Sequence, residues 1–187
     1  MTTRRTFLNT IGVLSGMCMT PEVFAGQANN KLQPLLSSRS IQNSYWYIGH
    51  LMSLLTVSKQ TGGEYALLRA TERRGLEPPP HIHTREDETF IILEGEVEYT
   101  VADQTFRAKA GDSMFLPKNI PHSFKILSEK LETLILLTPG GLEDYFVEMS
   151  EPAKAVTLPP MPAGPPDIAK LIARASKYGV LFPAMKK

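Results

Sequence analysis

The stretch Gly75 to Gly95, GLEPPPHIHTREDETFIILEG, constrains this chain more than any other. His81 and His83 stand two apart, so on extended backbone both imidazoles point to one side. Glu88 follows a polar break, Thr84-Arg85-Glu86-Asp87, and opens the apolar run Thr89-Phe90-Ile91-Ile92-Leu93. Glu94-Gly95-Glu96 ends that run in the manner of a hairpin turn. Strands joined this way aim two imidazoles and a carboxylate at one point, and His122 supplies a fourth group. An H-x-H pair alone is often only an exposed strand face. Here its company matters: of four histidines (His50, His81, His83 and His122), three fall in two short motifs.

The remaining pattern is that of an all-β domain. Fifteen prolines and thirteen glycines supply turns at short intervals, which favours strands over a helix bundle. Aromatic and branched residues mark residues 44–57 as the first ordered run, and Tyr65 to Thr71 as the next strand. Val97, Tyr99 and Val101 alternate with Glu96, Glu98 and Thr100, as in a strand with one wet face. Residues 113–117 and 122–127 read as hairpin arms, with Phe124 and Ile126 sharing the face of His122. Residues 131–138 close the series. Short strands at near-regular spacing predict a sandwich or jelly roll over residues 44–150. Residues 141–149 fit either a short helix or an edge strand. A Pro-rich connector and a helix fill residues 151–187; Asp167 caps the helix, Gly179 ends it, and Ile168, Leu171, Ile172 and Ala175 form its apolar face. His50, outside both motifs, reads as a hydrogen-bonded or half-exposed strand histidine.

A length of 187 residues suits one domain with a substantial core. With 42% apolar and 21% charged residues, disorder throughout is excluded. The net charge of +1 gives no electrostatic reason to expect nucleic acid or an anionic surface as partner.

The N-terminus reads as an address. Arg4-Arg5-Thr6-Phe7-Leu8 resembles a twin-arginine export motif, and the apolar stretch from Thr10 to Met19 is too short to span a bilayer. Val23-Phe24-Ala25 then offers small residues before a cut. Residues 1–25 are thus expected to be a signal peptide and 26–43 a flexible leader, with the mature protein exported and not stably inserted in a membrane. Cleavage would remove Cys18, the only cysteine, so stability would come from packing without a disulfide.

The spacing Gly75, five residues, His81-x-His83, four residues, Glu88, six residues, Gly95 matches the first cupin motif in full. Gly111 to His122 resembles the second, with Asn119 where the family usually has Gly and Ile126 where it often has Asn. With the Tyr45-to-Gly49 run and the Thr138-to-Glu143 exit, the chain resembles small single-domain cupins related to quercetin 2,3-dioxygenases. The resemblance implies a double-stranded β-helix, and dimers are common in that group. Three imidazoles and one carboxylate suit one divalent transition metal, with iron or manganese favoured and nickel, copper or zinc open. His81, His83, Glu88 and His122 are the expected ligands, and Glu88 is also the expected catalytic residue.

The leading expectation is a dioxygenase-like oxidoreductase acting on a small phenolic or enolisable compound. A non-catalytic metal- or ligand-binding barrel and a metal-dependent isomerase or epimerase are the alternatives. Phe90, Tyr99, Phe115 and Phe124 are candidates for barrel core or for an apolar wall around a planar ligand. Ordinary histidine titration would release the metal below about pH 6. Intact mass of protein from an extracytoplasmic fraction is expected to show a chain beginning near Gly26; residues 1–25 still attached would overturn the export reading.

Overall fold

Alternating burial along the strands builds the barrel. The computed structural model describes residues 31–183. The signal segment, its cut near Gly26, Cys18 and the first part of the leader lie outside the described residues. In order the elements are β1 (Ser44–Tyr47), β2 (His50–Thr56), α1 (Ser58–Thr61), β3 (Ala66–Arg73), β4 (Ile82–His83), β5 (Asp87–Glu94) and β6 (Glu96–Val101). There follow β7 (Gln104–Lys109), β8 (Ser113–Leu116), β9 (His122–Ile126), β10 (Lys130–Thr138), α2 (Glu143–Glu148), β11 (Glu151–Pro152), α3 (Ile168–Lys177) and β12 (Val180–Leu181).

The large sheet runs β11-β1-β2-β3-β10-β5-β8, a small one runs β7-β6-β9, and β12 pairs with β4. In β10, Leu131, Thr133, Ile135 and Leu137 are buried while the intervening residues are half-exposed. Ala66, Leu68 and Ala70 of β3, Phe90 and Ile92 of β5, and Val97 and Tyr99 of β6 join them in one core between the sheets. That is the expected all-β jelly roll, a cupin-type double-stranded β-helix with a short C-terminal helix. Among the described residues no helix is long and apolar enough to cross a membrane.

The strand parities match the sequence reading, but several connections differ from it. Neither Glu94-Gly95-Glu96 nor the 117–121 loop joins paired strands. β5 has both edges taken, by β10 and β8, and β6 has both taken, by β7 and β9. A strand has only two edges, so at Gly95 the chain crosses from the large sheet to the small one. Gly95 sits at φ +96, and a Cβ there would lie 2.5 Å from the Lys130 carbonyl oxygen. The 44–57 run splits at Ile48 and Gly49, where φ turns positive at both residues. Residues 141–149 contain the helix α2, so the helical option holds.

The last part of the expected leader is tied down. Arg39 donates to Thr71 Oγ1 and Glu132 Oε1, each at 3.0 Å, and to the Arg69 carbonyl. Ile41–Asn43 forms a 3-10 turn. At the other end, Asp167 caps α3 by accepting from the Lys170 N–H at 3.0 Å. Of the expected apolar face, Leu171 and Ala175 are buried, whereas Ile168 and Ile172 stay exposed.

Gly95→Ala is expected to cost about 2 kcal/mol or more, because it adds left-handed strain to a backbone clash. Urea unfolding should show a lower midpoint at unchanged slope; an unchanged midpoint would refute the tight crossing.

Candidate metal centre

Backbone pairing brings the two motifs together. His81 N–H donates to the His122 carbonyl at 3.0 Å, and His122 N–H returns the bond to His81 at 2.9 Å. This bridge sets the His81 and His122 rings 4.5 Å apart between centroids. His83, two residues on and on the same side, lies 5.0 Å from His81 and 5.1 Å from His122. β12 anchors the histidine strand from outside, pairing Val180 with His83. Glu88 starts the inward parity of β5. All four side chains are buried, and one ligand atom from each lies within 4.8 Å of the others. The structure thus brings together the four residues singled out from spacing.

The Asn119 departure is accommodated. Asn119 takes φ +64, and Asn is among the few non-glycine residues that tolerate this conformation. Its N–H donates to the His83 carbonyl at 2.7 Å, so the turn carries the ligand strand as a glycine turn would.

The ring nitrogens are poised to bind a cation. Nδ1 of His81 lies 3.0 Å from the Pro79 carbonyl, and Nδ1 of His122 lies 3.1 Å from that of Ile120. A carbonyl only accepts, so each Nδ1 carries the proton and each Nε2 keeps a free lone pair. His122 Nε2 and His83 Nδ1 are buried without a hydrogen-bond partner among the described residues. Buried polar atoms are rarely left so. An orphaned acceptor facing two other imidazoles and a carboxyl fits a metal ion.

Burial also sets the charge state. It pushes His81 down to about 4, helped by His122. It pushes His83 down to about 2, helped by His81 and His122, and lowers His122 as well. The same burial, with the nearby Glu72 and Glu86 carboxyls, raises Glu88 to about 8. His122 Nε2 and Glu88 Oε2 are 3.8 Å apart, within ion-pair range, yet burial favours the neutral form of both partners. The pocket therefore offers three neutral imidazoles and one protonated acid.

The cavity beside the four groups has a volume of about 70 Å³. Phe90, Phe124, Ile135 and Leu142 form much of its apolar wall. Tyr99 is core, packed on Phe90 and Phe124 with ring centroids 5.5 and 6.0 Å away. Phe115 is neither wall nor core: it is 56% exposed, on the outer parity of the last strand of the large sheet.

Sequence reasoning missed Glu72, a buried carboxyl lining the same cavity. Burial raises it to about 8, and its one side-chain hydrogen-bond contact is with Thr133 Oγ1 at 3.5 Å. The signal was present, since Glu72 continues the inward series Ala66, Leu68, Ala70. Tyr47, Tyr145, Phe146, Val180 and Phe182 also line the cavity from outside both motifs. His50 is held as expected, with Nε2 3.0 Å from the Leu76 carbonyl and Nδ1 accepting from the Arg73 N–H.

These charge states replace ordinary histidine titration as the control on binding. A carboxyl raised to about 8 keeps its proton at about pH 7, and a cation bound through Glu88 must expel it. In the metal-free fold, the stability tied to neutral Glu88 is full below its ordinary pKa of 4.5 and lost as pH rises through about 8. Titration with Mn²⁺ at about pH 7 is expected to release about one proton per ion, falling toward zero near pH 9. As pH is lowered from about 7 to 5, apparent affinity should fall about tenfold per pH unit. Calorimetry in buffers of different ionisation enthalpy checks this. Release that climbs toward about three protons per ion near pH 5, as from histidines of ordinary pKa, would contradict it.

Comparison with known proteins bears on this geometry. Residues 71–138 match the family described as a cupin domain. The chain is 26% identical over 109 residues to a quercetin 2,3-dioxygenase of Bacillus subtilis, covering 58% of this chain and 32% of the relative. It is 30% identical over 86 residues to one from Aspergillus japonicus, covering 43% of this chain and 25% of that one. The chain thus spans about a third or less of these relatives' length. An RmlC-like cupin from Shewanella frigidimarina superposes with a TM-score of 0.51 at 22% identity, over 61% of this chain and 98% of that one. The fold, the motif residues gathered inside it and the matched segment together place a cupin domain at residues 71–138.

Proposed function

We propose that this chain is a metal-dependent, dioxygenase-like oxidoreductase that acts on a phenolic or enolisable compound. One observation carries the reading: four buried ligand atoms lie within 4.8 Å of one another, and three of the residues that supply them, His81, His83 and Glu88, line an apolar cavity. The similarity to quercetin 2,3-dioxygenases supports the same reaction class. His81, His83 and His122 would hold the ion, with Glu88 as the fourth ligand. The donor set of three nitrogens and one oxygen, without sulfur, suits iron or manganese. When bound, the ion supplies Lewis acidity that lowers the pKa of a substrate hydroxyl.

The rest of the chemistry belongs to the protein's own side chains. Phe90 and Phe124 flank the cavity and steer the oxygen-bearing edge of a planar substrate toward the ligand groups. Tyr145, Phe146 and Phe182 shield it from bulk water. A carboxyl whose pKa is raised by burial is matched to accept a proton near neutral pH. Glu88, freed of its own proton, takes the substrate hydroxyl proton on Oε1 or Oε2. The substrate then sits in the cavity as an oxyanion, whose charge an ion held by the three neutral imidazoles would balance.

Glu88→Gln keeps the size of the side chain and removes the basic oxygen. The variant is expected to retain metal on three imidazoles while oxygen uptake with a phenolic substrate falls about 10²-fold or more. Elemental analysis and an oxygen electrode read the two effects separately. Full uptake by the variant would remove Glu88 from its role, and wild-type turnover without oxygen consumption would favour an isomerase.

A further inference from the structure

The inner cavity is too small for the substrate class it serves. Its volume of about 70 Å³ is about half of the roughly 150 Å³ that holds one benzene ring. A second cavity of about 520 Å³ lies against it, within the roughly 300–1,000 Å³ range of small-molecule sites. The two share Tyr47, His50 and Pro78 as lining residues. Leu76, Met161, Pro162, Ile168 and Leu171 line much of the outer one, so the Pro-rich connector roofs it.

That roof is fastened and the floor is braced. Arg73 donates to the Pro159 carbonyl at 2.8 Å, and Trp46 Nε1 donates to the Thr157 carbonyl at 2.9 Å. Below, both ring nitrogens of His50 bind backbone groups of the 73–76 turn. The outer cavity has three titratable lining residues, Tyr47, His50 and Glu77, and all are engaged, Tyr47 by donating its hydroxyl to that of Tyr145 at 3.2 Å. The Glu77 oxygens accept from the Ile126 and Gly75 N–H groups at 2.8 and 2.9 Å. No lining charge remains to recognise a charged ligand, while apolar side chains and prolines line most of the space.

We propose that the outer cavity is a second chamber of the same site, and that the substrate is elongated. Its oxygen-bearing head enters the inner cavity, and its uncharged apolar body lies under the connector between Leu76, Met161 and Ile168. The proposal rests on the reading of the inner cavity as the metal site, and the test separates the two.

Metal-loaded protein is titrated anaerobically with catechol, butylcatechol and octylcatechol. Affinity is expected to rise about 10-fold with the butyl chain and about 100-fold with the octyl chain, relative to catechol. Met161 and Ile168 are 62% and 46% exposed, so Met161→Asp with Ile168→Asp should leave the fold and catechol affinity intact. In that double variant the octyl gain should shrink below about 5-fold, because the chain now meets two carboxylates. An octyl gain that is absent, or that survives the double substitution, overturns the second chamber. A photoreactive octyl diazirine, mapped by peptide mass, decides the matter even if catechol fails to bind and the phenolic reading falls. Labels on Leu76, Met161 or Ile168 support the chamber; labels confined elsewhere overturn it.

Discussion

The reciprocal pair of backbone hydrogen bonds between His81 and His122 is the contact on which the site depends. It joins the residue just before β4 in one motif to the first residue of β9 in the other. Every other feature of the centre is measured from it. His83 reaches the same point because it lies one strand repeat beyond His81, and Glu88 reaches it because β5 turns its even-numbered residues inward. The bridge is short and isolated, so it needs support on both sides. β12 supplies one side by pairing with β4, where Thr84 donates twice to the Gly179 carbonyl. The 117–121 loop supplies the other through the Asn119 N–H.

Much of this was legible in the sequence because it depends on parity and spacing. Side-chain period two puts His81 with His83, and His122 with Phe124 and Ile126, whatever strand lies alongside. Partner choice was not legible. Gly95 and the Pro117-to-Pro121 stretch have the composition of hairpin turns, yet both carry the chain between sheets. The deciding factor is that β5 pairs with β8 and β10, and β6 with β9 as well as with the adjacent β7; apart from that hairpin the partners lie far away in sequence, which local turn chemistry does not encode. Phe115 shows the same limit, since its apolar character says nothing about which face of an edge strand meets the core. Glu72 was hidden for a different reason. A carboxylate ends a strand plausibly at a solvent boundary, and only the continuation of β3 to Arg73 turns that residue inward.

The buried polar groups make sense together rather than singly. Glu72 and Glu88 share one apolar cavity, and each is raised to about 8 mainly by burial. The Tyr99 hydroxyl, buried without a hydrogen-bond partner among the described residues, is pushed upward by burial and by both carboxyls. Burying such groups unpaired is costly, so the interior is polarised toward whatever positive charge enters it. An ion held by the histidines would relieve part of that cost by ionising Glu88. Metal affinity and fold stability are then coupled through one proton.

The C-terminal segment carries this coupling outward. The strand that braces His83 is continuous through Gly179 with α3, and α3 is continuous with the Pro-rich connector. Val180 and Phe182 line the inner cavity, while Ile168 and Leu171 line the outer one. One stretch of chain therefore supports the ligand strand, closes the inner cavity and walls the outer. Prolines suit that task, because their fixed φ limits the number of conformations the connector must give up on folding. The apolar exit from the barrel is thus as much part of the centre's construction as the four side chains gathered there.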